Sequence, residues 1–540
     1  FFDYIPSKTY LVSVPKQLQL VNLFALGVRS ISVIQPEWKT SPHLTLYTKQ
    51  TTPTTDLRLK VSLTYFKTVN IDIVLQYLNS NHISILEKST YFNRLLVEVE
   101  IANLNELIEQ PWVIWADREA PLMMETNLPG KTLTRSSTIG SSVPGARNLN
   151  GQGVIVGVWD GGACGVHVDF FGRETNIESS GLSQHATHVT GTIGGAGLKD
   201  QNNTGMAPKA TLLNWDFIGD IPGEMFAALS ARNIVMTNNS YAYSSDPCTT
   251  RGDYDQRSQD LDNLVNSNPY LSHMFAAGNF QTDNCAGTGA NAGYRTVHSG
   301  SQASKNSVVV GAVDLLDVMS NFSAWGPIRD NRLKPEVVAV GVAVNSTNYP
   351  NIYATLNGTS MATPNVTGIV AQIYQRYRQL NSGQNPDAAL IRGVLANTAE
   401  DLGNAGPDFK FGFGRVNALS VVKTLESNRY FNDTIKPGSL GRTRMILIPA
   451  NCKKLKVMLT WNDPAGSTSS SIALVNDLDL AITDGLGNST LPWVLAVAPY
   501  SAVATRGRDS LNNIEQVTID NPTAGPWFIK VTGDVNSGTS

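Results

Sequence analysis

The sequence predicts an α/β layered domain with a mostly parallel sheet, preceded by a small α+β domain and followed by an all-β sandwich. Three patterns carry the prediction. Unbroken apolar runs between 151 and about 425 suit parallel strands buried on both faces. The first 125 residues follow the order strand, helix, strand, strand, helix, strand, the split βαβ arrangement. Strict alternation of apolar and polar residues sets in after about 430.

In the first region the expected strands are YLVSVP (10–15), ISVIQP (31–36), LRLKVSLTY (57–65), ISILEKS (83–89), LLVEVEI (95–101) and VIWAD (113–117). Helical patterns fall at Ile71–Leu78 and near Leu104–Ile108. Between 118 and 150 this periodicity gives way to Thr, Ser, Gly and Pro, so residues 126–150 read as a solvent-exposed linker or a surface arm on the next domain. The layered domain, 151–428, is built on VIVGVW (154–159), TLLNW (211–215), IVMTN (234–238), MFAAG (274–278) and VVVGAV (308–313). A helix is expected over 385–400, with Asn385 as cap and Pro386 in the first helical position. The sandwich, 429–540, opens on LKVMLTW, which places Leu455, Val457, Leu459 and Trp461 on one face and Lys456 and Thr460 on the other.

Bulk properties narrow the function. A chain of 540 residues exceeds what one core serves, so two or three domains are expected. The net charge of -3 provides no positive field to displace counterions from a nucleic acid, and no apolar run approaches the roughly 20 residues that span a bilayer. The chain begins Phe-Phe-Asp without a signal segment, which fits processing after export.

Three separated motifs carry reactive groups. VIVGVWDGG ends a buried strand in Asp160, and in open α/β sheets ligands lie beyond the carboxyl ends of the strands. SQHATHVTGTIGG puts His185 and His188 on a helix rich in small residues. Their spacing of three, without an intervening Glu, does not suit a zinc-peptidase helix, and His188 reads as structural. In NGTSMATPNVTG, Ser360 stands at a helix N-terminus, whose unpaired N–H groups and dipole favour a developing oxyanion.

In the order Asp, His, Ser, and with these flanking residues, the motifs resemble the subtilisin-like serine peptidases, the subtilases. GMAP (205–208), FAAGN (275–279), FSAWGP (322–327), LKPEVVA (333–339) and FGFGRVNA (411–418) extend the resemblance over most of 151–425. It implies a subtilisin-like three-layer domain in which Asp160, His185 and Ser360 form the triad and Asn279 donates to the oxyanion. It further implies a substrate cleft lined by Ser240, Tyr241, Ala242, Ala276, Ala277 and Gly278. The departures leave every reacting group in place: Ala186 and Gly161 follow the triad His and Asp, and Ser240-Tyr241-Ala242 stands where Ser-Leu-Gly is usual. Ala242 adds a methyl beside the primary specificity pocket.

By the same resemblance, the N-terminal domain is a prodomain that chaperones folding, blocks the cleft as an intramolecular inhibitor and is removed by autocleavage within 118–150. The product is expected to be a secreted, monomeric endopeptidase acting on proteins or peptides, with no cofactor required for chemistry. LTWNDPAG and LVNDLDLAI resemble the sandwich of one subtilase branch, where Asp463, Asp477 and Asp479 are candidate ligands for a structural calcium ion. Cys248 and Cys285 bracket a segment near the cleft and are expected to pair if the protein is exported. Two other readings are a catalytically silent subtilase serving as a scaffold, which would lack a triad member or Asn279, and a glycan-binding protein built on the sandwich, which no aromatic concentration or repeat supports.

Overall fold

A computed structural model describes residues 58–89, 92–118, 123–125 and 130–536 apart from 144, 179, 244 and 288, together with short stretches before residue 45. The chain forms two compact units: Phe1–Pro121 with Gly466–Ile472, and Leu122–Ala465 with Ala473–Ser540. The layered and sandwich stretches, apart from Gly466–Ile472, thus share one unit.

In the first unit the four strands Ser84–Lys88, Arg94–Glu100, Arg58–Tyr65 and Val113–Arg118 form an antiparallel sheet in that spatial order. Helices Ile71–Ser80 and Ile101–Glu109 connect them as the split βαβ pattern requires. Asn70 caps the first helix by accepting from the Asp72 amide, which satisfies one of its orphan donors. Alternate residues Leu59, Val61 and Leu63 of one strand, with Leu95, Val97 and Val99 of its partner, meet helix residues Val74, Leu78, Leu104 and Leu107 in one core. The expected run 31–36 is not a strand. Its described residues are irregular and Pro36–Lys39 is a 3-10 turn, because Pro36 has no amide to offer a ladder. Of YLVSVP only Tyr10 and Leu11 are described, in the hairpin Asp3–Ile5 with Thr9–Leu11, and 12–15 lie outside the described residues.

The second unit is organised by a seven-stranded sheet in the order Glu174–Asn176, Thr211–Asp216, Ile155–Asp160, Met236–Asn239, Ser272–Ala276, Val308–Val313, Val337–Val340. Every adjacent pair is parallel. Helix Thr359–Leu380 crosses one face and is buried along most of its length. The core continues through Val156, Val158, Val189, Val310, Ile369 and Leu395.

Residues 130–150 are not a free linker. Thr134, Ser136, Ile139 and Leu149 are buried, Lys131 donates to the Gly205 carbonyl at 2.8 Å, and Arg147 grips Glu426 through two hydrogen bonds of 2.7 and 2.8 Å. The polar composition hid this because the segment is held by side-chain hydrogen bonds as much as by apolar burial. Residues 119–122 and 126–129 lie outside the described ones.

The helix expected from Pro386 starts later, at Ala388, with Asp387 at the cap, while Asn385 accepts from Arg378 Nε at 2.8 Å. In the sandwich Gly525–Asp534 pairs with Arg442–Ile448 on one side and Asp477–Thr483 on the other in one antiparallel sheet, and Lys454–Thr460 pairs with Ile514–Asp520 in another. Ile448, Leu480, Ile482, Val517 and Trp527 fill the space between them. The face carrying Lys456 and Thr460 does not point to solvent: their side chains donate to the carbonyls of Ala399 and Ala389, which docks that strand on the preceding helix.

Candidate active site

Parallel register places the reactive groups. Asn239 stands opposite Trp159 and Phe275, so the next residue along each strand brings Asp160, Ser240 and Ala276 into one row at the carboxyl edge of the sheet. Asp160 is 1% exposed and accepts from the Gly161 amide at 2.8 Å. The helix Gln184–Gly194 begins beside it, capped by Ser183, whose Oγ accepts from the Ala186 amide. His185 in its first turn brings Nδ1 to 2.5 Å from Asp160 Oδ1. A buried carboxylate at that nitrogen fixes the tautomer with the proton on Nδ1 and leaves Nε2 as the basic atom.

Ser360 is the second residue of the helix Thr359–Leu380. Its Oγ donates to the Ser240 carbonyl at 2.6 Å, and Ser240 Oγ donates to the Ser360 carbonyl at 2.9 Å. This reciprocal pair joins the serine to the row that contains Asp160. Asn279 follows the strand Ser272–Ala276, and its Oδ1 accepts from Thr359 N at 2.9 Å and Thr359 Oγ1 at 3.1 Å. The carboxamide oxygen is thereby held by the residue preceding Ser360, and the NH2 is the arm left for another acceptor. Thr359 also accepts from the Gly278 amide at 3.1 Å. The motifs gave no sign of this role for Thr359.

His188, one turn along the histidine helix, is fully buried and bonded through Nε2 to the Ala354 carbonyl at 3.0 Å. Burial pushes its pKa down to about 3, so it stays neutral. This is the structural role expected of it.

The segments expected to line the cleft diverge beyond the row. Tyr241–Tyr243 leaves the sheet and pairs antiparallel with Met123–Glu125, with Tyr241 opposite Glu125 and Ala242 opposite Met124. An edge that binds one extended backbone in this way has the geometry to receive a peptide by strand addition. Ala276, Ala277 and Gly278 are expected on the other side, and Gln302 Nε2 donates to both the Tyr241 carbonyl at 2.7 Å and the Ala276 carbonyl at 3.3 Å. No motif marked Gln302.

Cys248 and Cys285 form a disulfide, closing a loop of 37 residues between the segments that follow the two sides of the cleft. Cys164 and Cys452 are free thiols.

The three acids expected to bind calcium are not brought together. Asp463 is fully buried and its Oδ2 lies 2.5 Å from Lys305 Nζ, while its oxygens accept from the Val475 and Asn476 amides at 2.8 Å. Asp477 and Asp479 both pair with Arg508, at 2.9 and 2.7 Å. Among the described residues no group of three or more His, Cys, Asp or Glu side chains is placed to hold a metal ion. A buried cation of the chain itself, Lys305, neutralises Asp463.

The sequence profile of the subtilase family matches residues 151–414. The subtilisin-like protease 2 of Pseudogymnoascus destructans is 30% identical over 303 residues, covering 53% of this chain and 69% of that protein. The chain therefore belongs to the subtilase family, and its parallel sheet with flanking helices is the subtilisin-like fold. It is also 32% identical over 252 residues to the alkaline serine exoprotease A of Vibrio alginolyticus, covering 44% of this chain but only 41% of that enzyme's length. Subtilisin DY of Bacillus licheniformis is 29% identical over 289 residues, 52% of this chain and 94% of that protein. Among the described residues no helix is long and apolar enough to cross a membrane.

Proposed function

We propose that this protein is a serine endopeptidase that hydrolyses peptide bonds of protein substrates through an acyl-enzyme intermediate and is made as a zymogen. One observation carries the reading: Asp160 holds the His185 ring at the same sheet edge to which Ser240 ties Ser360. An alcohol is a poor nucleophile until a base removes its proton. His185 Nε2 takes the proton of Ser360 Oγ as that oxygen attacks the scissile carbonyl. Asp160 stabilises the imidazolium that forms. The Asn279 NH2 and the Ser360 backbone N–H receive the charge on the carbonyl oxygen, acting where charge develops and where they are already oriented. His185 then delivers its proton to the leaving amine, and water repeats the sequence on the ester.

The N-terminal unit is the prodomain in this reading. Its junction with the peptidase lies within 118–150, and the pairing of Met123–Glu125 with the cleft strand supports both inhibition and cleavage there. The disulfide supports an oxidising, extracellular destination.

The test is to incubate the purified chain with casein and a serine-directed phosphonate while following its mass. Casein degradation, one phosphonyl group on Ser360 and loss of an N-terminal fragment ending within 118–150 are expected. An intact chain that neither degrades casein nor takes up the reagent, even after removal of residues before 130, would return the protein to the silent-scaffold reading.

A further inference from the structure

The position of Gln302 bears on which peptide bonds this site accepts, given the peptidase reading above, on which this inference rests. Beyond the sheet edge Tyr241–Tyr243 leaves the parallel sheet, and in the proposed reading the side chain before the scissile bond enters the wedge between this segment and the one following Ala276. Gln302 occupies the apex of that wedge. It is 4% exposed, and both hydrogens of its amide nitrogen are used, one on the carbonyl of Tyr241 and one on that of Ala276. A side chain held at two points cannot swing aside for a larger occupant without giving up both hydrogen bonds.

The backbone around Gln302 is closely packed. A Cβ built on Gly278 would lie 2.9 Å from His298 Cδ2, and one built on Gly300 would lie 2.5 Å from the Tyr243 hydroxyl. His298 and Tyr243, 1% and 8% exposed, thus stand hard against the backbone on either side. By the subtilase resemblance, Ala242 adds a methyl beside the same pocket. The turn that carries Gln302, Gly300–Ala303, is itself fixed, because the Lys305 and Asn306 amides just after it donate to Asp262 at 3.1 and 3.0 Å.

We infer that Gln302 is a specificity-determining residue that closes the primary pocket, so that this enzyme cleaves after small side chains such as Ala, Ser or Thr and rejects Phe and Leu. The carboxamide acts by filling space and by holding the two sides of the cleft at a fixed separation. It takes no part in the bond-making steps.

The experiment measures kcat/KM for the processed enzyme on four peptides that differ only in the residue before the scissile bond: Ala, Thr, Leu and Phe. For the unaltered enzyme the Ala and Thr peptides are expected to be cut at least ~10-fold better than the Phe peptide. In Gln302→Gly that preference is expected to shrink by ~10-fold or more, through a gain on Phe in kcat/KM, with Ala242→Gly giving a smaller shift in the same direction. A preference for Phe or Leu in the unaltered enzyme would overturn the inference whether or not either variant folds. So would a Gln302→Gly enzyme that loses activity equally on all four peptides. Failure to cut any peptide, with Ser360 unlabelled by the phosphonate, would instead refute the peptidase reading and take this inference with it.

Discussion

Lys305 Nζ and Asp463 Oδ2 lie 2.5 Å apart with neither side chain exposed to solvent, one on the peptidase domain and the other on the sandwich. The ammonium also donates to the Ala473 carbonyl at 2.8 Å and to the Pro464 carbonyl, and Asn306 exchanges two hydrogen bonds with the backbone of Asp463. A buried ion pair so fully hydrogen-bonded is costly to break from one side, because the surviving charge has nowhere to go.

Asp463→Ala is therefore expected to destabilise the unit by about 3–5 kcal/mol. The double variant Lys305→Met with Asp463→Leu should recover only part of the loss, since it removes both charges but takes their partners from the Val475 and Asn476 amides and the Ala473 and Pro464 carbonyls. Urea unfolding followed by near-ultraviolet circular dichroism checks both outcomes.

Ser360→Ala is expected to lower kcat by about six orders of magnitude, the scale known for the corresponding residue of subtilisin, and Asn279→Ala by about two to three. If Asn279 donates as proposed to charge that exists only in the transition state, its loss should fall on kcat and leave KM nearly unchanged. Steady-state kinetics on a peptide cut by the unaltered enzyme separates the two parameters.

Thiol titration in denaturant is expected to find two reactive groups, Cys164 and Cys452, rising to four after reduction. Replacing both Cys248 and Cys285 by Ser should cost about 2–4 kcal/mol, the range for closing a loop of this length. A heat scan of the variant against the parent reads the difference.

Glu515 is 1% exposed and its Oε2 accepts from the Leu480 amide at 2.6 Å. Burial, with help from Asp509, Asp479 and Asp477, pushes its pKa up to about 9, so the folded protein keeps a proton that the unfolded chain releases near its ordinary value of about 4.3. Its contribution to stability is whole below that ordinary value, declines as pH rises, and is gone above about 9. Glu515→Gln retains the acceptor and has no proton to lose. Its melting temperature should therefore match the parent near pH 5 and exceed it increasingly toward pH 9.

Asp160, His185 and Ser360 stand out in the sequence because each sits in a motif whose small neighbours are required by close packing. The strands of the parallel sheet were legible because burial on both faces leaves uninterrupted runs such as VVVGAV. Gln302 and Thr359 were not, since their roles depend on carbonyls and amides far away in sequence, and a lone Gln or Thr carries no periodic signal. The segment 130–150 was read by composition, which measures polarity and misses that Arg147 and Lys131 have fixed partners. Asp463 shows the same limit in reverse. Its motif is intact, but the meaning of a carboxylate depends on whether its counter-charge is a metal ion or, as here, a lysine some 160 residues away.

The antiparallel ladder between Met123–Glu125 and Tyr241–Tyr243 has a consequence for handling the protein. An exposed strand edge is a template on which copies of a chain associate. Under the proposed processing, the uncleaved chain keeps Met123–Glu125 seated on this edge, shielding it, and should stay dispersed at concentrations where the trimmed form begins to precipitate or digest itself. An extended peptide added at purification would take over that shielding.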